Sequence, residues 1–414
     1  MVKSVDFDEL KKILIKIMNQ MIIKDGSINL NASEKDWTRF FKILYKEPEY
    51  RHYIEPMTLF MAISELAFHM KEMYFQNLGK NAEEIINKIK TTFSKDRPKI
   101  NFISPVKGLD VKRKYTIGNI SIFRANKKNM LKFLKPNNIY YNSFETKKEK
   151  IIEKFENKIC IEFPIADIPK LYPFHSLTVY KTTINQLEKY FGILELFSYL
   201  CSKTLPSILV GGHEEYRTYW STEDHQEKRF DMHHLNHNLT SNNLVINKEL
   251  LDNFRKLKID KFFDICRRNS NDLNEIEKRI SKSLWYYHDA SRDNNVLSRF
   301  VKLTSIFETL LTKSEERENI SRLLRERLFF ILESKPKISQ ELSKADFNKI
   351  YDIRSRIVHG DEESIEWYNF DEYLRKLELF VSILIYDVTL SKYKTLNGLF
   401  IDILKEKDRT NLPN

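Results

Sequence analysis

The chain has 414 residues, of which 42% are apolar, 31% charged and 13% aromatic, enough to bury a sizeable core in two or three domains. With nine glycines and eleven prolines it is not collagen-like, Gly-rich or Pro-rich disordered, nor a fold built on repeated glycine turns. Lys and Arg number 69 against 58 Asp and Glu, a net charge of +11, which permits a polyanionic partner without requiring one.

The opening residues, MVKSVDFDELKK, carry acids where a signal peptide needs a hydrophobic run. Leu10, Ile13, Leu14, Ile17 and Met18 recur at helical spacing, and Met57 to Met73 forms a second apolar candidate, so residues 5 to about 95 read as helices. From about 98 to 180 the texture changes to short β-branched and aromatic runs: Lys99 to Ile103, Tyr115 to Phe123, Ile159 to Phe163 and Leu177 to Tyr180. Pro105, Gly108 and Pro164 punctuate them, and a small sheet is expected. Residues 184 to 204 read as helix and 205 to 245 as irregular. From about 249 onward, helices with short polar breaks predict a bundle. The fold class is therefore α+β and mostly helical, with a helical N-terminal part (1–95), a mixed basic part (96–245) and a C-terminal α-helical bundle (246–414). The longest apolar stretch, Leu379 to Leu390, contains Asp387 and is too short for a bilayer. Cys160, Cys201 and Cys266 are odd in number and far apart, so neither a disulfide framework nor a metal knuckle is expected. These features predict a protein of the reducing cytoplasm with no membrane partner.

Between Lys107 and Lys158 there are 14 basic and 5 acidic residues, a local charge of +9. Lys112, Arg113, Lys114, Lys127 and Lys128 lie here, with Phe123, Phe133, Tyr140, Tyr141 and Phe144 interleaved. Cations track phosphates and aromatic faces stack on unpaired bases, so the mixture suits single-stranded nucleic acid. The plainer alternative is a solvated lysine-rich surface.

In the bundle, the segment Phe347 to Gly360 (FNKIYDIRSRIVHG) reads as a helix with Gly360 as a left-handed cap just past its end. At about 100° per residue, Ile350, Tyr351, Ile353, Ile357 and Val358 share one apolar arc, and Arg354 falls in its middle. Burying an unpaired guanidinium is costly, so Arg354 needs a carboxylate, water or a bound group. Glu308 and Arg327 likewise sit among apolar neighbours on the expected helices Val296 to Leu311 and Ile320 to Leu332. An acid and two arginines then point to a common interior. One reading is a buried network that fixes helix register, with His359 as a favourable C-terminal cation.

Three segments, LWYYHDASRDNNVLSRFVKLTSIFETLL (Leu284 to Leu311), NISRLLRERLFFIL (Asn319 to Leu332) and IYDIRSRIVHGD (Ile350 to Asp361), together resemble the Apea-like branch of the HEPN superfamily. The last carries that family's spacing of an arginine, four residues and a histidine in Arg354 and His359. Ser355 stands where the family often has asparagine. The resemblance covers about residues 270–395. It implies a HEPN-like bundle, a homodimer and a metal-independent RNA endonuclease without cofactor. On that implication Arg354, Ser355 and His359 are catalytic, Arg356 positions a phosphate, and Glu308 and Arg327 support the site. A toxin-like role against phage is the cellular role implied. Such chemistry suits these groups: imidazole, titrating near about pH 6.5, can move a proton, and a planar guanidinium can stabilise charge on phosphorus oxygens. In a straight helix Arg354 and His359 are about 140° apart, which favours a site assembled across a two-fold axis. The alternative function is an inactive RNA-binding or dimerisation module.

A rival cluster, HQEKRFDMHHLNH (His225 to His237), offers His233 and His237 at the i, i+4 spacing of a helical metal pair with Asp231 and His234 adjacent, but no HExxH and no second ligand set. No metal is expected there. His288, beside Trp285, Tyr286 and Tyr287, is expected to be packing material.

Overall fold

The computed structural model describes residues 5–24, 27–30, 34–46, 50, 59, 63, 77–91, 100–133, 139–141, 152–153, 155–165, 177–203, 205–206, 208–210, 216–222, 228–233, 243–268, 270–313, 315–316, 318–333, 343–365 and 367–410. They fall into two compact units, one from residues 1–100 and 165–184, the other from 101–164 and 185–414.

The first unit contains helix α1 (Phe7–Asn19), the hairpin β1 (Met21–Lys24) and β2 (Ser27–Leu30), helix α2 (Glu34–Leu44) and helix α3 (Leu78–Thr91). Asp6 caps α1 by accepting from the Glu9 N–H at 3.0 Å, which satisfies one of the orphan donors of the first turn. Leu10, Ile13, Leu14, Ile17 and Met18 are buried as their spacing predicted, and α1 packs them on α2 and α3. Phe40, Phe41, Ile85 and Ile89 meet them from those helices' buried faces. The expectation of helices alone misses the β1–β2 hairpin. Met57 to Met73 lies outside the described residues except for Leu59 and Ile63, which are buried.

In the second unit, β5 (Tyr115–Ile117), β6 (Ile120–Arg124), β8 (Ile159–Ile165), β3 (Ile100–Lys107), β10 (Tyr216–Thr222), β11 (Lys228–His233) and β7 (Ile139–Tyr141) form one sheet in that order, with β9 (Leu209–Val210) on β3. β5 with β6, β6 with β8, β9 with β3 and β10 with β11 pair antiparallel, whereas β7 joins β11 in parallel. β4 (Leu109–Val111) and β12 (Leu244–Ile246) make a separate parallel pair. The β5–β6 turn depends on Gly118 at φ +56°, where a Cβ would sit 2.6 Å from that of Phe263. A short helix, α4 (Lys127–Phe133), follows β6, and α5 (Leu177–Ser202), which belongs to this unit from residue 185 onward, follows β8. Two sequence expectations are corrected here. Leu177 to Tyr180 opens α5 rather than forming a strand, and the region read as irregular supplies β9 to β12. β-branched and aromatic content does not separate strand from buried helix in short apolar runs.

Helices α6 (Lys248–Lys256) and α7 (Ile259–Arg267) lead into the bundle α8 (Glu275–Ser291), α9 (Val296–Leu311), α10 (Ile320–Glu333), α11 (Lys344–His359), α12 (Trp367–Leu390) and α13 (Leu396–Thr410). Phe380 of α12 centres the core, with the rings of Phe307 on α9, Phe329 on α10 and Phe347 on α11 at 6.4, 6.0 and 6.2 Å, all edge-on. The molecule is thus mostly helical with a smaller sheet, and no described helix is long and apolar enough to cross a membrane.

The compact units do not follow the boundary expected near 246, because α5 ties into the bundle. Glu188, Gly192 and Glu195 recur at i, i+4 and i+7 on one face of α5. At Gly192 a Cβ would stand 2.1 Å from the Leu284 carbonyl oxygen of α8, so the two backbones meet with no side chain between them. On either side of this contact, Glu188 accepts from Trp285 Nε1 and Arg292 Nη1, both at 2.7 Å, and Glu195 meets His288 Nδ1 at 3.1 Å. His288 and Glu195 are both buried, so His288 is a packing residue, as expected. Burial pushes the Glu195 carboxyl above its ordinary range, and removing His288 leaves this buried acid one hydrogen bond short. His288→Leu is therefore expected to lower stability by about 1–3 kcal/mol, measured as a loss in ΔG from urea unfolding; an unchanged ΔG would contradict the pairing.

Candidate functional site

Helix α11 begins with a capping box, Ser343 accepting from the Asp346 N–H at 3.0 Å while Asp346 accepts from the Ser343 N–H at 2.8 Å. It ends at Gly360 with φ +75°, the left-handed cap expected from the sequence. Of the predicted apolar arc, Ile350 and Ile353 are buried, Tyr351 and Ile357 half-buried, and Val358 is 50% exposed. α9 and α10 lie against α11.

Arg354 and Glu308 meet. Arg354 Nη2 donates to Glu308 Oε1 at 3.0 Å, and Tyr351 OH donates to the same oxygen at 2.9 Å. Both ends of the ion pair reach solvent, with 24% of the Arg354 side chain and 32% of the Glu308 side chain exposed. The Arg354 Nε is buried and makes no hydrogen bond. Burial, together with the Glu308 carboxylate, pushes the Tyr351 hydroxyl well above its ordinary range, so Tyr351 stays a donor throughout the physiological range. The sequence placed Tyr351 on the apolar arc and missed this second hold on Glu308; its position three residues before Arg354 was the available signal.

His359 is the last residue of α11 and is exposed, while Ser355 is half-buried. Arg356, expected to position a phosphate, is instead engaged inside the chain: it donates to the Ser364 carbonyl and pairs with Asp352 at 3.1 Å. It ties down the link to α12. Arg327 does not join Glu308 and Arg354. Its guanidinium forks onto Glu316 at 2.7 and 2.5 Å, donates to the Leu311 carbonyl at 2.6 Å and stacks 3.6 Å over the Phe400 ring. The common interior read from the sequence therefore holds one acid and one arginine. Helical spacing fixes a side chain's azimuth on its own helix but not which neighbour's carboxylate comes within reach.

The Arg327 hydrogen bonds hold the Glu316 carboxyl below its ordinary value of 4.5. This pair stabilises fully above that value, and its contribution is lost as the pH falls through the lower folded-state value. The Tm gap between the wild type and Glu316→Gln is expected to stay constant near neutrality and close in acid; a gap that persists in acid would refute the pairing.

Among the basic residues predicted to grip nucleic acid, Lys112, Arg113 and Lys114 line one cavity of about 500 Å3 with Arg124, Asn126 and Asn129. Lys114 pairs with Glu162 at 3.1 Å and Arg124 with Asp110 at 2.9 Å. Lys127 and Lys128 are exposed on the first turn of α4 but do not line the cavity. Phe123 lines the same cavity but is only 3% exposed, with the Lys114 ammonium 5.5 Å from its ring centroid, which leaves a base little of its face to stack on. Phe144 lies outside the described residues.

His233 ends strand β11, paired in register with Tyr216, so it does not stand on a helix as the metal-pair spacing required. His225, His234 and His237 lie outside the described residues. The described residues contain no cluster of His, Cys, Asp and Glu able to hold a metal. Burial pushes the Cys160 and Cys266 thiols up to about 12, which leaves neither as a ready nucleophile. No protein-family model, curated protein or solved structure matches the chain.

Proposed function

We propose that this chain is a HEPN-type, metal-independent RNA endonuclease that works as a homodimer and serves as a toxin-like effector against phage. The observation that carries the reading is a solvent-reaching Arg354, paired with a Glu308 carboxylate that Tyr351 also holds, five residues before an exposed His359 at a glycine-capped helix end. In this mechanism the ribose 2′-hydroxyl attacks phosphorus, the 5′-oxygen leaves and takes a proton, and a 2′,3′-cyclic phosphate remains. His359 carries a proton at one of these oxygens, Arg354 stabilises the charge on the non-bridging oxygens, and Ser355 hydrogen-bonds the phosphate. Requiring a 2′-hydroxyl restricts cleavage to RNA.

Arg354 and His359 leave α11 in different directions, so a second protomer would complete the site. Exposed Val358, Trp367 and Tyr368, at 50%, 50% and 82%, flank the His359 end in sequence and support an interface there. A second reading, a non-catalytic RNA-binding module, is favoured by Arg354 being paired within its own chain.

Incubating the purified chain with mixed RNA and EDTA separates the two. Cleavage that survives EDTA and stops in His359→Ala supports the nuclease; RNA retained but uncut by both proteins supports the module. A monomer by light scattering that still cuts RNA would remove the two-fold site.

Glu308→Gln tests the hold on Arg354. A partly exposed pair of this kind contributes at most about 1 kcal/mol, so Tm should move little while the cleavage rate falls. An unchanged rate would show that Glu308 does not position Arg354.

A further inference from the structure

A second basic recess lies away from α11, in the groove between α5 and α8. It encloses about 380 Å3 and is lined by Lys189 of α5, Lys278, Ser281, Lys282 and Trp285 of α8, and Arg268 just past α7. Residues 278, 282 and 285 follow the i, i+4, i+7 stripe of one helix face, and Lys189 comes to them from α5.

The lining contains no acid. Of the neighbouring carboxylates, Glu277 takes the Arg268 guanidinium in a two-pronged contact at 3.2 and 2.5 Å, Glu188 accepts from Trp285 and Arg292, and Asp272 acts on Arg268. Among the described residues no carboxylate lies within ion-pair distance of Lys189, Lys278 or Lys282, and the Lys282 ammonium instead lies 5.5 Å from the Tyr286 ring centroid. Unneutralised ammonium groups gathered on one recess leave a site of positive potential. Because the indole N–H is spent on Glu188, Trp285 offers the recess carbon and a π face. That hydrogen bond and the edge-on Tyr286 ring at 5.1 Å also fix its orientation.

We propose that this groove binds a nucleoside phosphate, with the phosphate held by Lys189, Lys278 and Lys282 and the base laid on the Trp285 indole. The volume falls within the range of small-ligand pockets, about 300–1,000 Å3. Ammonium groups on flexible stems can close on a phosphate from several directions. An aromatic face binds any base by stacking, without reading its edge. This site is independent of the nuclease reading, since none of its groups belongs to the Arg354 and His359 constellation. The same chemistry is offered by a free nucleotide and by a phosphorylated end of a polynucleotide.

The test is calorimetric titration of the purified chain in EDTA with AMP, GMP, CMP and UMP, with inorganic phosphate, and with a 5′-phosphorylated 2′-O-methyl oligonucleotide, which lacks the 2′-hydroxyl and cannot be cut by 2′-attack. At least one monophosphate should bind saturably. The double variant Lys278→Glu, Lys282→Glu, at two exposed positions that do not threaten the core, should weaken it at least about tenfold. Trp285→Leu should weaken the monophosphate while leaving inorganic phosphate unchanged. An oligonucleotide that binds more tightly than the monophosphates and loses affinity in the same variants assigns the site to polynucleotide ends; weaker oligonucleotide binding assigns it to free nucleotides. Absence of saturable binding by every nucleotide probe, or affinities unmoved by the charge reversals, overturns the proposal.

Discussion

RNA cleavage by the purified chain is expected to fall about 10²- to 10⁴-fold when His359 becomes alanine, with Tm unchanged. The two halves of that expectation come from different observations. His359 is exposed at the terminus of α11, so its imidazole contributes little to packing, and a surface substitution of this kind moves stability by at most about 0.5 kcal/mol. On the proposed mechanism the rate loss follows from removing the group that would relay a proton to or from the ribose and leaving oxygens. Arg354→Lys should cost about 10²-fold or more although charge is conserved, because on the proposed mechanism the guanidinium grips Glu308 with one nitrogen and would address the phosphate with another, which an ammonium cannot reproduce. Gel analysis of end-labelled RNA in EDTA, beside thermal unfolding, reads both numbers. Loss of cleavage accompanied by unfolding of His359→Ala would remove the catalytic assignment.

The second large effect lies in the fold. Gly192→Ala is expected to destabilise the chain by about 3 kcal/mol or more, because the added methyl would stand 2.1 Å from the Leu284 carbonyl oxygen, in backbone that cannot step aside as a flexible side chain would. α5 and α8 would have to separate, straining the Glu188 contacts to Trp285 and Arg292 and the buried Glu195–His288 pair. Gly79→Ala provides the control, since nothing stands within 4 Å of its added Cβ. There the more restricted unfolded chain should make the change neutral or stabilising by up to about 1 kcal/mol. Urea unfolding of both variants checks the contrast, and equal midpoints would contradict the close approach.

Much of the bundle was legible in the sequence. The α9 limits, Val296 and Leu311, are those expected, and the buried face of α1 matches its periodicity residue for residue. The α11 cap at Gly360 follows from a glycine placed after the last periodic turn. Within the candidate site, the meeting of Glu308 with Arg354 was anticipated, whereas Tyr351 as a second donor was not. Arg327 and Arg356 found other partners, Glu316 and the Ser364 carbonyl. The strand reading failed at Leu177 to Tyr180 because Leu, Thr, Val and Tyr, two of them β-branched, fit either element, and only the long helical run that follows decides between them.

By itself the sequence determined the limits of α9, the glycine-capped end of α11 and the buried face of α1, since periodicity and capping act over a few residues. Tertiary structure alone decided that Arg327 meets Glu316 rather than Glu308, that the sheet and α5 from residue 185 onward belong with the bundle rather than apart from it, and that three lysines and an indole share one recess. Those outcomes join residues as far apart as Glu195 and His288. They depend on how closely two helices approach at one glycine, a distance that no local pattern encodes.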